Sequence, residues 1–169
     1  MATIKDDNNI PKLLKEIKYL ATHRIEVGIF GKDDSKILMI ARVNEFGVDI
    51  QVTEAMRNYL HATGLHLKKS TKTITIPERS FIRSGFDENN KKIQRQAEKL
   101  LSDVLDMRLK AKNAMEVVGQ IIVTQLQSYM TSVSSPANHP YTVKQKQSTN
   151  PLIDNGNLRN SIVYKIRSS

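Results

Sequence analysis

The stretch "DENNKKIQRQAEKLLSDVLDMRLKAKNAMEVVGQIIVTQLQSYMTSV", Asp87 to Val133, decides how the chain folds. After Asp87, residues Ile93, Ala97, Leu100, Leu101, Val104, Leu105 and Leu109 recur at three- and four-residue steps, which places them on one stripe of an α-helix. Lys92, Arg95, Lys99 and Asp103 fill much of the opposite side. A second start signal follows, because Asn113 with Glu116 three residues on resembles a capping box. Val118, Ile122, Leu126, Tyr129 and Val133 then mark a new apolar face. The expectation is one long amphipathic helix, a kink or break near Lys112, and a second helical run.

Toward the N-terminus, Ile10, Leu13, Leu14, Ile17, Leu20 and Ala21 form another helical stripe, with Pro11 in the first turn where a missing N–H costs nothing. Ile25, Val27 and Ile29 alternate as a short strand, ended by a turn at Gly31 and the Lys32 to Ser35 cluster. Ile37 to Phe46 reads as a helix that Gly47 stops in a left-handed C-cap. Thr53 can cap a short helix through Tyr59 and Leu60, with Gly64 as its stop. Thr73 to Ile76 alternates as a strand, confined to an end or edge by Pro77. Toward the C-terminus, Ser134 to Pro151 holds three prolines and almost no large apolar residue, so it reads as a long structureless loop, functional or mobile. Ile162, Tyr164 and Ile166 alternate as a final strand. This order predicts one α+β domain over 1–169: a small antiparallel or mixed sheet from separated strands, packed against the long helix, with long loops.

Composition sets limits on function. With 169 residues and 39% apolar content the chain can bury a modest core. The lack of cysteine excludes disulfides, thiolate zinc sites and cysteine nucleophiles, and fits a reducing cytoplasm. Tryptophan is absent and aromatics make up 5%, so stacking platforms would have few rings. No stretch approaches the roughly 20 apolar residues of a membrane span, and polar Met1 to Asn9 has no leader-like core, so a soluble chain is expected. The net charge of +9, from 26 Lys and Arg against 17 Asp and Glu, is scattered along the chain. That pattern predicts weak, salt-sensitive DNA affinity without sequence recognition, and it leaves a small basic DNA-binding accessory protein as the alternative function.

No catalytic set emerges. His61 and His66 are five apart, off the three- or four-residue spacing of helical metal pairs, and Gly64 lies between them. His23 and His139 stand alone. Asp33 with Asp34 and Asp87 with Glu88 read as solvated turn or cap residues. No serine sits in a nucleophile elbow and no phosphate-binding loop is present, so neither enzyme, metal nor cofactor is expected. Gly28 and Gly31 form the Gly-x-x-Gly that KH domains use on nucleic-acid backbones, but they follow a strand and precede two acids. The reading preferred is that Gly28 lets another backbone come close and Gly31 turns the chain.

Three stretches taken together resemble the virion-morphogenesis or tail-completion family of long-tailed phages and prophages. They are "VGIFG" at 27–31 followed by a helix ending in "NEFG" at 44–47, "IPERSFIRSGFD" at 76–87, and "PLIDNGNLRNSIVYKI" at 151–166. Asn155 stands where that family commonly has threonine, and the segment from Gly47 to Ile76 is long for it. The resemblance implies a virion protein, made in the bacterial host cytoplasm, that forms a ring of roughly six or twelve copies at the junction of head and tail. Its partners would be copies of itself and the connector, neck and tail proteins, with DNA passing through as non-specific cargo and no membrane involved. Neck adaptor, tail terminator and head–tail joining protein stay open.

The candidate interface comprises Arg79, Phe81, Arg83, Asn138, Pro140, Tyr141, Lys144 and Lys146. In an extended chain Arg79, Phe81 and Arg83 share one face, which suits either an interface fork or solvated charge around one buried aromatic. The other five lie in the Ser134 to Pro151 loop, which could reach a neighbour. Asp154 is expected to cap the turn carrying Leu158, with Gly156 supplying unusual dihedrals.

Overall fold

The computed structural model describes residues 8–30, 35–146 and 148–168. Helix α1 (Ile10–Thr22) leads into strand β1 (His23–Gly28). The partner of β1 comes from the far end of the chain: β4 (Val163–Ser168) pairs antiparallel with it, setting Ile25 against Ile166 and Val27 against Tyr164. Helix α5 (Ala111–Ser132) lies across both strands. Gly119 of α5 makes this possible, since a Cβ there would fall 2.5 Å from the Tyr164 ring.

Helix α4 (Arg83–Leu105) packs on α5. Gly85 lets the two approach, because a Cβ there would fall 2.9 Å from the Tyr129 ring and 3.0 Å from Leu126. Sheet contact therefore belongs to α5, and the run after Asp87, expected to back the sheet, forms the outer helix of a hairpin. Ile93 and Val104 are buried, whereas Leu101 and Leu105 remain 44% and 46% exposed. The apolar stripe is wider than the line of contact. One core cluster joins Phe81, Val123, Leu126, Met130, Leu152 and Ile162; a smaller one joins Val104, Ala111 and Ala114 under Tyr19 and Leu20.

The break between the long helices falls at 106–110, ahead of Lys112, with Met107 in the left-handed region (φ 57°). Asn113 and Glu116 lie inside α5, so no capping box forms. Glu116 pairs with Lys112 at 3.9 Å. The Ala111 N–H at the start of α5 donates instead to Glu16 of α1, at 2.7 Å.

The other end of the molecule is thin. Helix α2 (Ser35–Phe46) ends at Gly47, whose φ of +68° and a would-be Cβ 2.9 Å from the Glu78 nitrogen both require glycine. Strand β2 (Val48–Gln51), too short to show as an alternation, pairs antiparallel with β3 (Thr73–Ile76), placing Ile50 opposite Ile74. Helix α3 (Glu54–Ala62) lies between them, capped by Thr53, which accepts from the Met56 N–H at 3.2 Å. No residue from 46 to 78 is buried. The fold is thus α+β as expected, with its described strands in two separate antiparallel pairs.

Three further expectations change. The segment from Ser134 to Pro151 contains a helix, α6 (Pro140–Lys146), and is tied down at several points described below. Before the short helix α7 (Asn157–Asn160), the turn is made by Asn155, whose Oδ1 accepts from Asn157, and by Gly156 at φ +83°; Asp154 is exposed and caps nothing. A Cβ on Gly28 would meet nothing within 4 Å, so close approach is not its role. Gly31, Asp33 and Asp34 lie outside the described residues.

Candidate functional site

Helix α4 begins without a side-chain cap of its own, because its N-cap position is Ile82. Its first N–H groups need acceptors from elsewhere. Glu45, in the last turn of α2, supplies them. One carboxylate oxygen accepts from the Ser80 hydroxyl (2.8 Å), the Arg83 N–H (3.1 Å) and the Arg83 Nε (3.1 Å). The other accepts from the N–H groups of Phe81 (2.9 Å) and Ile82 (3.0 Å). Burial alone would push this carboxyl up. The Ile82 and Arg83 N–H groups, the Ser80 hydroxyl and the Arg83 guanidinium outweigh it and hold Glu45 below the usual glutamate range. The result is a charged joint between the thin end and the packed end.

The structure disperses the eight interface candidates. Phe81 is fully buried in the main core. That meets only the aromatic half of the expected alternative, solvated charge around one buried aromatic, because both arginines are bonded to other protein groups. Arg83 binds Glu45 and, through Nη2, Glu78 at 2.8 Å, and stacks 4.8 Å over the ring of Phe46. Arg79 points away from both. It is 6% exposed and donates from Nε to the Pro136 carbonyl (2.6 Å) and from Nη2 to the Ala137 carbonyl (3.2 Å). The shared face fails because Arg83 already belongs to a helix, where two-residue spacing does not repeat a direction. Asn138 donates to the Pro151 carbonyl at 3.3 Å, and Lys146 to the carbonyls of Asn150 and Pro151 at 3.2 and 3.1 Å. Tyr141 reaches back to α3, its hydroxyl donating to Thr63 Oγ1 at 2.7 Å. Pro140 and Lys144 are exposed.

Arg79, Asn138 and Lys146 do meet, at one end of a groove of about 1020 Å³ between α2, the β2–β3 pair, α6 and the segment before α7. Ile37, Ile40, Ile50, Ile74, Ile76 and Leu158 wall it. Burial holds Lys146 below the ordinary lysine value; Asp154 pulls it up, and the charge of Arg79 lowers it further. Burial likewise lowers Arg79. Sequence reading missed both Glu45 and these walls. Glu45 did leave a signal, since an acid in the last turn of a helix opposes the helix dipole and so is placed there for another partner. The isoleucines come from three distant segments and share no periodicity.

The remaining candidates hold less. His61 and His66 come together because the chain turns at Gly64, with ring centroids 4.4 Å apart, edge to face. Among the described residues no group of three His, Cys, Asp or Glu could hold a metal ion, and no helix is long and apolar enough to cross a membrane. Comparison with known protein families, curated proteins and solved structures gives no match.

Proposed function

We propose that the chain is a structural subunit of a tailed-phage or prophage particle, working in a ring where the head connector meets the tail. The sequence resemblance supplies the particle, and one physical observation supports the assembly. The chain exposes 12010 Å² at 19.2 kDa, whereas a compact monomer of that mass exposes about 8,400 Å². Granting each of the thirteen undescribed residues the exposure of an unfolded chain, about 160 Å², does not remove the excess. A surface this large over so small a core suits a subunit whose burial is completed by neighbours.

Two groups among the exposed large apolar residues support the reading. Ile10, Leu14 and Ile17, spaced for one helical face, are 64%, 59% and 40% exposed on α1. Met39, Phe46 and Val48 are exposed at the thin end. A ring joins two different faces of each subunit by a closing rotation, and we assign these two groups to that role. The +9 charge suits a lumen through which DNA passes without being read.

The test is electron microscopy of particles made with and without the chain. The expected result is a ring of subunits at the head–tail junction, and unjoined heads and tails when the chain is missing. Joined, stable particles lacking it would overturn the proposal.

A further inference from the structure

Lys36, Arg79 and Lys146 line the groove against a single described carboxylate, that of Asp154, which makes no ion pair with Arg79 or Lys146. Arg79 is 94% buried by its 6% exposure and donates only to backbone carbonyls. Lys146, half-buried, also donates only to carbonyls. Among the described residues no carboxylate lies within 4 Å of either. A charge taken from water without a paired ion is costly, and a carboxylate arriving there would gain more than on an open surface because the surroundings screen less. Arg79 has a donor to spare: its Nη1 bonds to no described atom. No buried side-chain nitrogen or oxygen goes unpartnered among the described residues, so Nη1 is not fully sealed from solvent, and Arg79 is one of the residues that line the groove.

The walls add the second half of the specificity. Ile40, Ile50, Ile74 and Leu158 offer aliphatic surface in the same groove, and Asp154, which already acts on Lys146, leaves net positive charge for one acid and not for several. The geometry points to a docking groove for a segment of a partner protein in which aliphatic side chains bracket a single Asp or Glu. The carboxylate sits against Arg79 and Lys146 and the aliphatic groups against the isoleucines. A second copy of α1 is the poorer occupant, since Lys12, Lys15 and Lys18 flank its apolar face and meet like charge. This inference stands on the groove alone and does not depend on the ring.

The probe is a pool of end-blocked octapeptides, Ser at the termini, with one Glu among Ile, Leu and Val. An otherwise identical pool carries Gln. Amide NMR spectra of the full chain report where each pool binds. The Glu pool should move the resonances of Ile40, Ile74 and Lys146 and bind at least tenfold more tightly than the Gln pool. Lys146→Gln should erase that preference while leaving the rest of the spectrum in place. Equal binding of both pools, binding of neither, or an undiminished preference in Lys146→Gln would overturn the inference. So would groove shifts caused by decanoate and not by the Glu pool, which would mark a site for small amphiphiles, or shifts that grow with protein concentration alone, which would mark a second copy. The Glu-against-Gln comparison on the unaltered chain decides the matter even if Lys146→Gln does not fold.

Discussion

The two ends of this molecule are held by different forces. At the packed end, α5 lies on β1 and β4 with α4 behind it, and Phe81, Leu126, Met130, Ile162 and Val104 are sealed from water. At the thin end, from Phe46 to Glu78, nothing is sealed. There the chain is held by side chains that donate to or accept from the backbone. Arg57 alone donates to the carbonyls of Leu67, Lys68 and Thr71, at 3.3, 2.9 and 2.7 Å. Arg79, Lys146 and Asn138 do the same for the segment around α6. Burial holds the packed end together. The thin end is shaped by polar ties, which fix its form without hiding its apolar surface. Glu45 is where the two meet.

That contrast can be broken at either end. Val104→Asp places an unpaired charge at a fully buried position and should unfold the chain outright, read as loss of a cooperative thermal melt. Glu45→Ala comes next. It strands the N–H groups of Phe81, Ile82 and Arg83 and should cost about 3 kcal/mol in urea unfolding. The same carboxylate gives a pH signature. Its folded pKa lies below its unfolded value of about 4.3, so its stabilisation is complete above that value and is lost as pH falls through the folded pKa. Between pH 6 and pH 3, stability should therefore fall less steeply in Glu45→Gln than in the unaltered chain; equal slopes would remove Glu45 from that role.

Arg57→Ala should cost about 1–2 kcal/mol, but locally. Amide exchange should rise across 63–72 while the packed end keeps its protection. If the whole chain loosens together, the two ends are one cooperative unit and the contrast fails. The smallest effect belongs to Leu101→Asp. At 44% exposure it should change stability by no more than about 0.5 kcal/mol. A severe loss would mean that α4 is covered where it is bare.

The packed end was largely legible in the sequence and the thin end was not, for a physical reason. Burial leaves periodicity: the strands around Ile25 and Tyr164 and the run from Ile93 showed it, whereas the equally periodic stripe on α1 keeps Ile10, Leu14 and Ile17 exposed. Gly47 and Thr53 were legible because their roles are local. Polar ties leave no period. Glu45 lies 36 to 38 residues from the N–H groups it accepts, and Glu16 lies 95 residues from Ala111. A search for local caps therefore found Asn113 and Glu116, which cap nothing. The same reason made the segment from Ser134 to Pro151 read as structureless. Its low apolar content was real, but Arg79, Asn138, Tyr141, Lys146 and Asn150 secure it.

The proposed ring requires that the exposed apolar groups be buried against copies of the chain. The most direct measurement is the molar mass of the purified protein by light scattering, from about 1 to 100 µM, beside that of Leu14→Glu. The expected result is a mass that rises to a fixed multiple of 19.2 kDa, with Leu14→Glu held at the single-chain mass. That variant should still melt cooperatively, at the temperature the unaltered chain shows when dilute enough to be single, since Leu14 is already 59% exposed. A mass of one chain at every concentration, indifferent to Leu14→Glu, would contradict it.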